Sequence, residues 1–441
     1  MSTAPTLKRA LGYRDLIAYG LAYIAPIAPF STLGFVWRES HGLIVLAYVL
    51  GAACMYFTAQ SYALMTERVP SAGSVYGFAR EALGSFPGFI AGWMILLDYL
   101  LIPAFVFLLM AVALGELVPG VERSVWLVLL VGTALAVNWF GVTVTTRASL
   151  YAVAFQVVLI LGFLLLAGLA LAAGKGNGAL TLKPLYDRET FELHGVFTAT
   201  SICIMSYLGF DAISTLAEEV EGNDRKVVGR AIIAVLLLSA AFFVLTTWVL
   251  GNLLPGLVIK DPAAAVYELA RWSVGAWAAV VLAWAYATVV GISNVLPMQV
   301  GVARVVFAMG RDGQLPRVLG AIHPRYRTPH VAMLATAAVS LAVSLAMQTR
   351  LDELASIVNF GALSGFLLLH VSVLARCGIA ERSRAWFRHW LAPLAGIAVV
   401  IAVFSGMGGL AVTLGLSWLA LGLVYGLGLR LLKRERLEAP L

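Results

Sequence analysis

Two aspartates sit where a charge is least expected. Asp98 lies in the run Trp93-Met94-Ile95-Leu96-Leu97-Asp98-Tyr99, and Asp211 in Ser206-Tyr207-Leu208-Gly209-Phe210-Asp211-Ala212. An ionisable group inside so apolar a stretch is expensive, and is kept where it holds a cation, moves a proton or satisfies backbone N–H groups. No lysine or arginine lies deep enough in any apolar run to pair with either aspartate, so two such carboxylates facing one cavity would attract a cation. Glu218 and Glu219 close the run that holds Asp211; they read as interfacial, with a proton relay as the alternative. Aromatic side chains crowd the same stretches: Tyr23, Trp93, Tyr99, Tyr207, Phe210, Trp284, Tyr286 and Phe360. Ring faces hold an organic ammonium at about 0.5–2 kcal/mol each, although most aromatics in such runs pack or anchor at an interface. Asp211 has a competing structural reading, because aspartate caps a helix that restarts after a break; for Asp98 the competing reading is a buried hydrogen bond. His370, the one histidine clearly inside an apolar run, reads as a hydrogen-bonded packing residue.

The elements that must position these groups are membrane helices. Of 441 residues, 61% are hydrophobic and 12% charged, against about 25% charged in a soluble domain. That composition excludes a soluble enzyme, a nucleic-acid-binding domain and a disordered chain. Twelve continuous apolar segments run over 15–37, 43–65, 86–115, 124–140, 149–173, 195–218, 230–252, 274–303, 331–348, 353–375, 390–406 and 410–432, near the roughly 20 residues that one crossing needs. They lack the alternation of a barrel strand. The net charge of +7 resides in the loops, and the 30 lysines and arginines concentrate in the termini and after even-numbered spans, with Arg304 to Arg327 the longest basic loop. By the positive-inside rule both ends, 1–14 and 433–441, are expected in the cytoplasm. The first segment carries no small-residue cleavage site and is expected to be retained. Cys54, Cys203 and Cys377 are scattered without a C-x-x-C, which argues against a disulfide framework or a metal site. There is no G-x-x-x-x-G-K-[ST], no H-E-x-x-H and no ligand spacing among the six histidines, so neither enzyme activity, metal nor cofactor is expected, and uphill movement of a solute would draw on an ion gradient.

Two spans are interrupted. The first reads Gly20-Leu21-Ala22-Tyr23-Ile24-Ala25-Pro26-Ile27-Ala28-Pro29-Phe30, and each proline removes a backbone donor and clashes with the preceding turn. The sixth carries Gly209 and Asp211 in mid-span. Broken helices at matching positions, five spans apart, point to an inverted-repeat transporter with its site at the breaks. The expected fold is an all-α integral membrane protein of 12 transmembrane helices. Spans 1–5 (15–173) and 6–10 (195–375) form a 5+5 inverted repeat with helices 1 and 6 broken, and the last two spans (386–432) are peripheral.

The chain resembles the amino acid–polyamine–organocation superfamily of secondary transporters, nearest to the bacterial putrescine importer group. The shared strings are Gly20-Leu21-Ala22-Tyr23 with Pro26, Phe30, Thr32 and Gly34; Ala72-Gly73-Ser74 with Tyr76; Leu97-Asp98-Tyr99 with Pro103; Leu208-Gly209-Phe210-Asp211-Ala212 with Ser214-Thr215-Leu216 and Glu218-Glu219; Met309-Gly310-Arg311-Asp312; His323-Pro324 with Arg327-Thr328-Pro329; and Asn359-Phe360-Gly361-Ala362-Leu363. They run through the first ten spans. The resemblance implies a LeuT-like fold and alternating access, with substrate held by Tyr23, Ala25, Pro26, Asp98, Tyr99, Ser206, Tyr207, Gly209, Phe210, Asp211, Trp284 and Phe360. Amino acid carriers of the superfamily have a Gly-Ser-Gly-like string at the first break, whose N–H groups hold the substrate carboxylate. Here Ile24-Ala25-Pro26-Ile27-Ala28 is bulkier and has one N–H fewer. Gln156 stands near the place of a fifth-span lysine thought to couple protons in some members, which leaves Asp98, Asp211 or Glu218 as proton-coupling candidates. Ser71 replaces an acid that can occur in related importers. Sodium coupling is the lesser variant, with Ser293 its one evident ligand. The expectation is proton-driven import of a small organic amine, putrescine-like, across a bacterial-type inner membrane by a monomer or homodimer. Lipid bilayer is its setting and no nucleic acid is a partner. The alternative is an amino acid permease, a proton symporter or exchanger; a sensor or scaffold without transport is a remote third.

Overall fold

The computed structural model describes residues 11–69, 74–140, 146–217, 220–221, 226–311, 313–326 and 328–438. Glu218 and Glu219, Ser71, Ala72 and Gly73, Asp312 and Arg327 lie outside the described residues. Sixteen α-helices follow one another among those described: α1 (Tyr13–Ile24), α2 (Ala28–Glu39), α3 (Ile44–Arg68), α4 (Ser74–Leu83), α5 (Ser85–Leu117), α6 (Arg123–Trp139), α7 (Thr146–Ala172), α8 (Leu193–Cys203), α9 (Lys226–Leu253), α10 (Ala265–Ser273), α11 (Ala276–Ala285), α12 (Gly291–Arg311), α13 (His330–Ala346), α14 (Leu351–Val373), α15 (Ala392–Ser405) and α16 (Gly409–Glu438). No strand occurs among the described residues; a single bridge pairs Leu11 with Val220.

Among the described residues nine helices are long and apolar enough to cross a membrane, or ten if the bent pair α1–α2 is one span. The protein is a multi-pass, all-helical membrane protein. α6 and α13 are apolar but shorter, at 17 residues each, and coincide with the expected segments 124–140 and 331–348. Two short helices were not expected. α4 and α10 have too few residues to cross a bilayer of about 30 Å, but each buries one face: Val75, Phe78 and Ala79 in α4, and Val266, Tyr267, Leu269 and Ala270 in α10. Other segments run longer than their apolar stretches. The expected eighth span continues through a π-helical turn (Tyr286–Val290) to Arg311, and α16 continues to Glu438 into the expected C-terminal tail.

α5 is the central pillar. It packs against α4, α6, α11, α12, α13, α14 and α16, and 83% of its apolar window is buried, against 22% for α16. Small residues set the closest approaches. A Cβ on Gly361 of α14 would lie 2.8 Å from the Asp98 nitrogen, and one on Gly229 of α9 would lie 2.7 Å from Ala63 of α3.

The first span breaks between α1 and α2 with a 46° bend. Ala25 takes a φ of 59°, a left-handed value rarely adopted by a non-glycine residue, and the N–H of Ala28 turns back to the Ala25 carbonyl at 2.9 Å. The sixth span tightens from α8 into a 3₁₀ turn (Ile204–Tyr207), opens at Leu208 and Gly209, and resumes as 3₁₀ over Phe210–Leu216. The two breaks touch: a Cβ on Gly209 would lie 2.7 Å from the Tyr23 ring and 3.3 Å from its carbonyl carbon, and the φ of Gly209 is 116°. Glycine is required twice over, by conformation and by space. Gly209→Ala is therefore expected to destabilise the protein by about 1–3 kcal/mol from backbone strain alone, read as a lowered thermal unfolding midpoint in detergent; an unchanged midpoint would show that the breaks do not meet in this way.

Candidate functional site

Four helical elements converge on the two breaks. α1 delivers Tyr19 and Tyr23 at its C-terminal end, α3 delivers Tyr62, α5 delivers Asp98 and Tyr99, and the 3₁₀ segment after Gly209 delivers Asp211. The carboxyl groups of Asp98 and Asp211 lie close enough to act on one another, and the hydroxyls of Tyr23, Tyr62 and Tyr99 stand close to both. Asp98 and Asp211 are each only 7% exposed. Neither forms an ion pair with a lysine or arginine among the described residues.

The two carboxylates are treated differently. The backbone N–H groups of Gly209, Asp211 and Ala212 and the hydroxyl of Tyr62 stand near the Asp211 carboxyl, a polar surround at the start of the restarting helix. Behind Tyr62 the donors continue: Ser74 Oγ donates to the Tyr62 hydroxyl at 3.5 Å, and Ser214 Oγ donates to Ser74 Oγ at 3.2 Å. Asp98 has no such shell. Its Oδ1 is buried without a hydrogen-bond partner, and a buried acceptor left open costs free energy until something donates to it.

Donors for an anion are scarce at the same place. Of the first residues of α2, Pro26 and Pro29 have no N–H, and those of Ala28 and Phe30 bond the carbonyls of Ala25 and Ile27 at 2.9 Å each. From Pro26 to Phe30 that leaves the N–H of Ile27. At the second break the N–H of Ala212 bonds the Gly209 carbonyl at 3.1 Å, and those of Gly209 and Asp211 stand near the Asp211 carboxyl. The C-terminal end of α1 adds carbonyl oxygens and the negative end of its dipole. The cluster is acidic, lined by tyrosines and short of anion donors, so its chemistry suits a cationic group.

Residues 15–421 match the amino acid permease family. The chain belongs to this family. It is 32% identical to the low-affinity putrescine importer PlaP of Escherichia coli (strain K12), over 95% of this chain and 93% of that protein. The branched-chain amino acid permease BcaP of Bacillus subtilis (strain 168) is 29% identical over 95% and 92% of the two chains. The methylthioribose transporter of the same organism is 26% identical over 96% and 94%. This amino acid permease family protein is thus a membrane transporter and not an enzyme.

Several residues expected at the site of this permease point elsewhere. Ser206 and Thr32 share the Tyr48 hydroxyl, at 3.0 and 2.7 Å. Tyr207 donates to the Tyr48 carbonyl at 2.8 Å and packs its ring against Phe243 at 5.2 Å. Both belong to the seam of α3, α9 and the first break. Trp284 is 50% exposed, on the α11 stripe that also exposes Trp277, Val280 and Val281; Tyr286, two residues on, is buried instead and bonds Ser31 at 3.0 Å. Phe360 packs on Phe404 at 5.1 Å and against Gly415, toward α15 and α16, while its neighbour Gly361 lies against the Asp98 backbone. Phe210 stays near the cluster, edge-on to Tyr62 at 5.9 Å. Trp93, another aromatic of the third span, stacks on Trp418 at 4.6 Å. Ala25, Pro26 and Gly209 contribute backbone shape.

The sequence reading missed Tyr62, Ser74, Tyr48 and Ser31. A signal was present in α3, where Thr58, Ser61, Tyr62 and Thr66 put hydroxyls into an apolar helix; Ser61 and Thr58 also hold His370, at 2.8 and 3.4 Å. Gln156 is 1% exposed, with Oε1 unpartnered. Beyond the first break, Ser31 and Tyr286 border a small, otherwise mostly apolar cavity of about 10 Å³. No group of three or more metal-ligating side chains occurs among the described residues.

Tyr62→Phe removes a side-chain donor from the Asp211 shell and strands Ser74. It is expected to cost about 1–3 kcal/mol of stability, seen as a lower unfolding midpoint in detergent. A midpoint equal to that of the unaltered protein would mean that the backbone alone satisfies Asp211.

Proposed function

We propose that this permease imports a small organic amine of the putrescine class, driven by protons, by alternating access. The observation that carries this reading is the open Oδ1 of buried Asp98 beside a second carboxylate, next to a first break that between Pro26 and Phe30 leaves one backbone N–H, that of Ile27, for an anion. An ammonium fills the vacant acceptor of Asp98, with Tyr99 and Tyr23 beside it. A second ammonium, on the far end of a diamine, meets the α1 carbonyls and the negative side of Asp211. The name of the relative at 32% identity, a putrescine importer, supports the same class.

On this reading the protein has 12 spans in an inverted 5+5 arrangement, 15–173 and 195–375, with 386–432 at the periphery and both termini in the cytoplasm of a bacterium. Rocking of spans 1, 2, 6 and 7 opens the site to one side at a time. The outer end of span 1 bears on this motion. Arg38 pairs with Asp352 of α14 at 3.0 Å, and a Cβ on Gly34 would collide with the Pro262 carbonyl and Ala265, so α2 has to leave a close-packed seat for that side to open. The proton is carried by Asp98 or Asp211; Glu218, the third candidate, adjoins the same segment. Asp98 is the stronger choice, because its charge is less compensated by the protein.

The second reading, an amino acid permease, is favoured by the family as a whole and by the branched-chain amino acid permease at 29% identity. Ligand-dependent thermal stabilisation separates the two, since a ligand that binds only the folded state raises stability by RT ln(1 + [L]/Kd). Putrescine is expected to stabilise the purified protein and a neutral amino acid is not. Asp98→Asn is expected to weaken putrescine binding roughly tenfold or more, about 1.4 kcal/mol or above, and to remove accumulation driven by an inward proton gradient in liposomes. Stabilisation by a neutral amino acid alone, or undiminished putrescine binding by Asp98→Asn, overturns the amine reading.

A further inference from the structure

The hairpin joining α14 to α15 takes no part in the site above. It leaves α14 through one π-helical turn (Leu374–Ala380), enters α15 through another (Phe387–Leu391), and turns at Arg382 with φ 48°. The two turns pack on each other: a Cβ on Gly378 would lie 3.0 Å from the Trp390 indole. Such π-helical turns are rare and recur at functional sites.

Two features of the hairpin have no structural use. First, it carries a surplus of positive charge. Arg68 and Arg376 share Glu381, at 3.1 and 3.7 Å, and Arg376 reaches Glu81 at 4.0 Å. Arg382, Arg384 and Arg388 are exposed, and none forms an ion pair among the described residues. Second, a polar side chain is buried beside them without a full set of partners. His389 is 7% exposed, its Nε2 faces Arg68 at 3.5 Å, and its buried Nδ1 has no hydrogen-bond partner. A buried polar atom left open on a hairpin that also carries unpaired guanidinium groups, with Arg388 near it, offers a seat for an anion with several oxygens.

The surroundings say which anion. On the same hairpin Ile379, Trp386 and Phe387 are 65%, 69% and 64% exposed, and the helices on either side are long and apolar enough to cross a membrane. Exposed aromatic rings interleaved with arginines at the ends of spans match the headgroup layer of a bilayer. A free anion gains nothing from the apolar side chains, whereas a phospholipid uses both.

We propose that this hairpin is a binding site for an anionic phospholipid. The phosphate lies on Arg382, Arg384 and Arg388 with His389 behind, and the glycerol and upper acyl chains lie along Trp386 and Phe387. The test titrates short-chain phosphatidylglycerol, phosphatidylcholine and inorganic phosphate against the thermal unfolding midpoint of the full-length protein in neutral detergent. Phosphatidylglycerol is expected to raise the midpoint, and phosphatidylcholine and inorganic phosphate are not. The triple variant Arg382→Gln, Arg384→Gln, Arg388→Gln should need roughly tenfold or more phosphatidylglycerol for the same rise. A control with Arg304, Arg317 and Arg325 changed to Gln should respond like the unaltered protein. The proposal fails if phosphatidylglycerol does not stabilise the protein. It fails also if the hairpin variant responds normally, if the control loses the response equally, which is bulk charge, or if inorganic phosphate stabilises as well as the lipid, which is a free-anion site.

Discussion

Two buried carboxylates lie close enough to act on one another, with no lysine or arginine paired to either among the described residues. In a medium of low dielectric this is the most demanding constraint in the molecule, since each ionised group loses its hydration and also repels its neighbour. The chain meets half of the demand itself. For Asp211 it interrupts the sixth span, which exposes backbone N–H groups, and sets Tyr62 against the carboxyl. The interruption requires Gly209, because the chain there passes close to Tyr23 in a conformation that a Cβ resists. The other half is left open at Asp98. One acid has polar groups of the fold around it and the other has an acceptor oxygen without a partner.

The same division explains the hydroxyl seam on the other side of the breaks. Breaking two helices inside a membrane frees backbone groups that lipid cannot satisfy. Thr32 from α2, Tyr48 from α3 and Ser206 from the interrupted span meet within hydrogen-bonding distance, and Tyr207 donates to the Tyr48 carbonyl. Both irregular segments are thereby fastened to one regular helix, α3, which in turn packs along α9. Side chains that a sequence reading assigns to substrate are here occupied in holding the breaks in register.

Legibility in the sequence followed physical range. Apolar segments, the two prolines of the first span and the glycine of the sixth act locally, and each lies in the structure where its own chemistry predicts: helix, bend and left-handed turn. Asp98 and Asp211 were legible because a charge in an apolar run is conspicuous by itself. What failed was facing. A helix turns about 100° per residue, so Tyr286 rather than Trp284, and Gly361 rather than Phe360, face inward, and no apolar count separates such neighbours when every face of a span is apolar. Tyr62 and Ser74 were missed for another reason. They reach the site through Asp211 and Ser214, roughly 140 positions away or more in the chain, and that proximity is a product of the packing of α3, α4 and the 3₁₀ segment. α4 and α10 were missed because a length set by the bilayer is the wrong yardstick for a helix that does not cross it.

On the proposed reading, specificity follows from what the breaks withhold as much as from what they offer. A zwitterion and a diamine present the same ammonium to Asp98, so that contact alone does not tell them apart. The difference lies at the other end. A carboxylate there would face Asp211, the carbonyl end of α1 and two prolines, which leave between residues 26 and 30 only the N–H of Ile27; a second ammonium would find the same groups complementary. Discrimination by an unfavourable environment for the wrong end group is often larger than what one added contact supplies, because a buried charge without a partner costs several kcal/mol. On the proposed reading Pro26 and Pro29 therefore do two things at once. They bend the first span so that it meets Gly209, and they delete the donors that would otherwise welcome an amino acid.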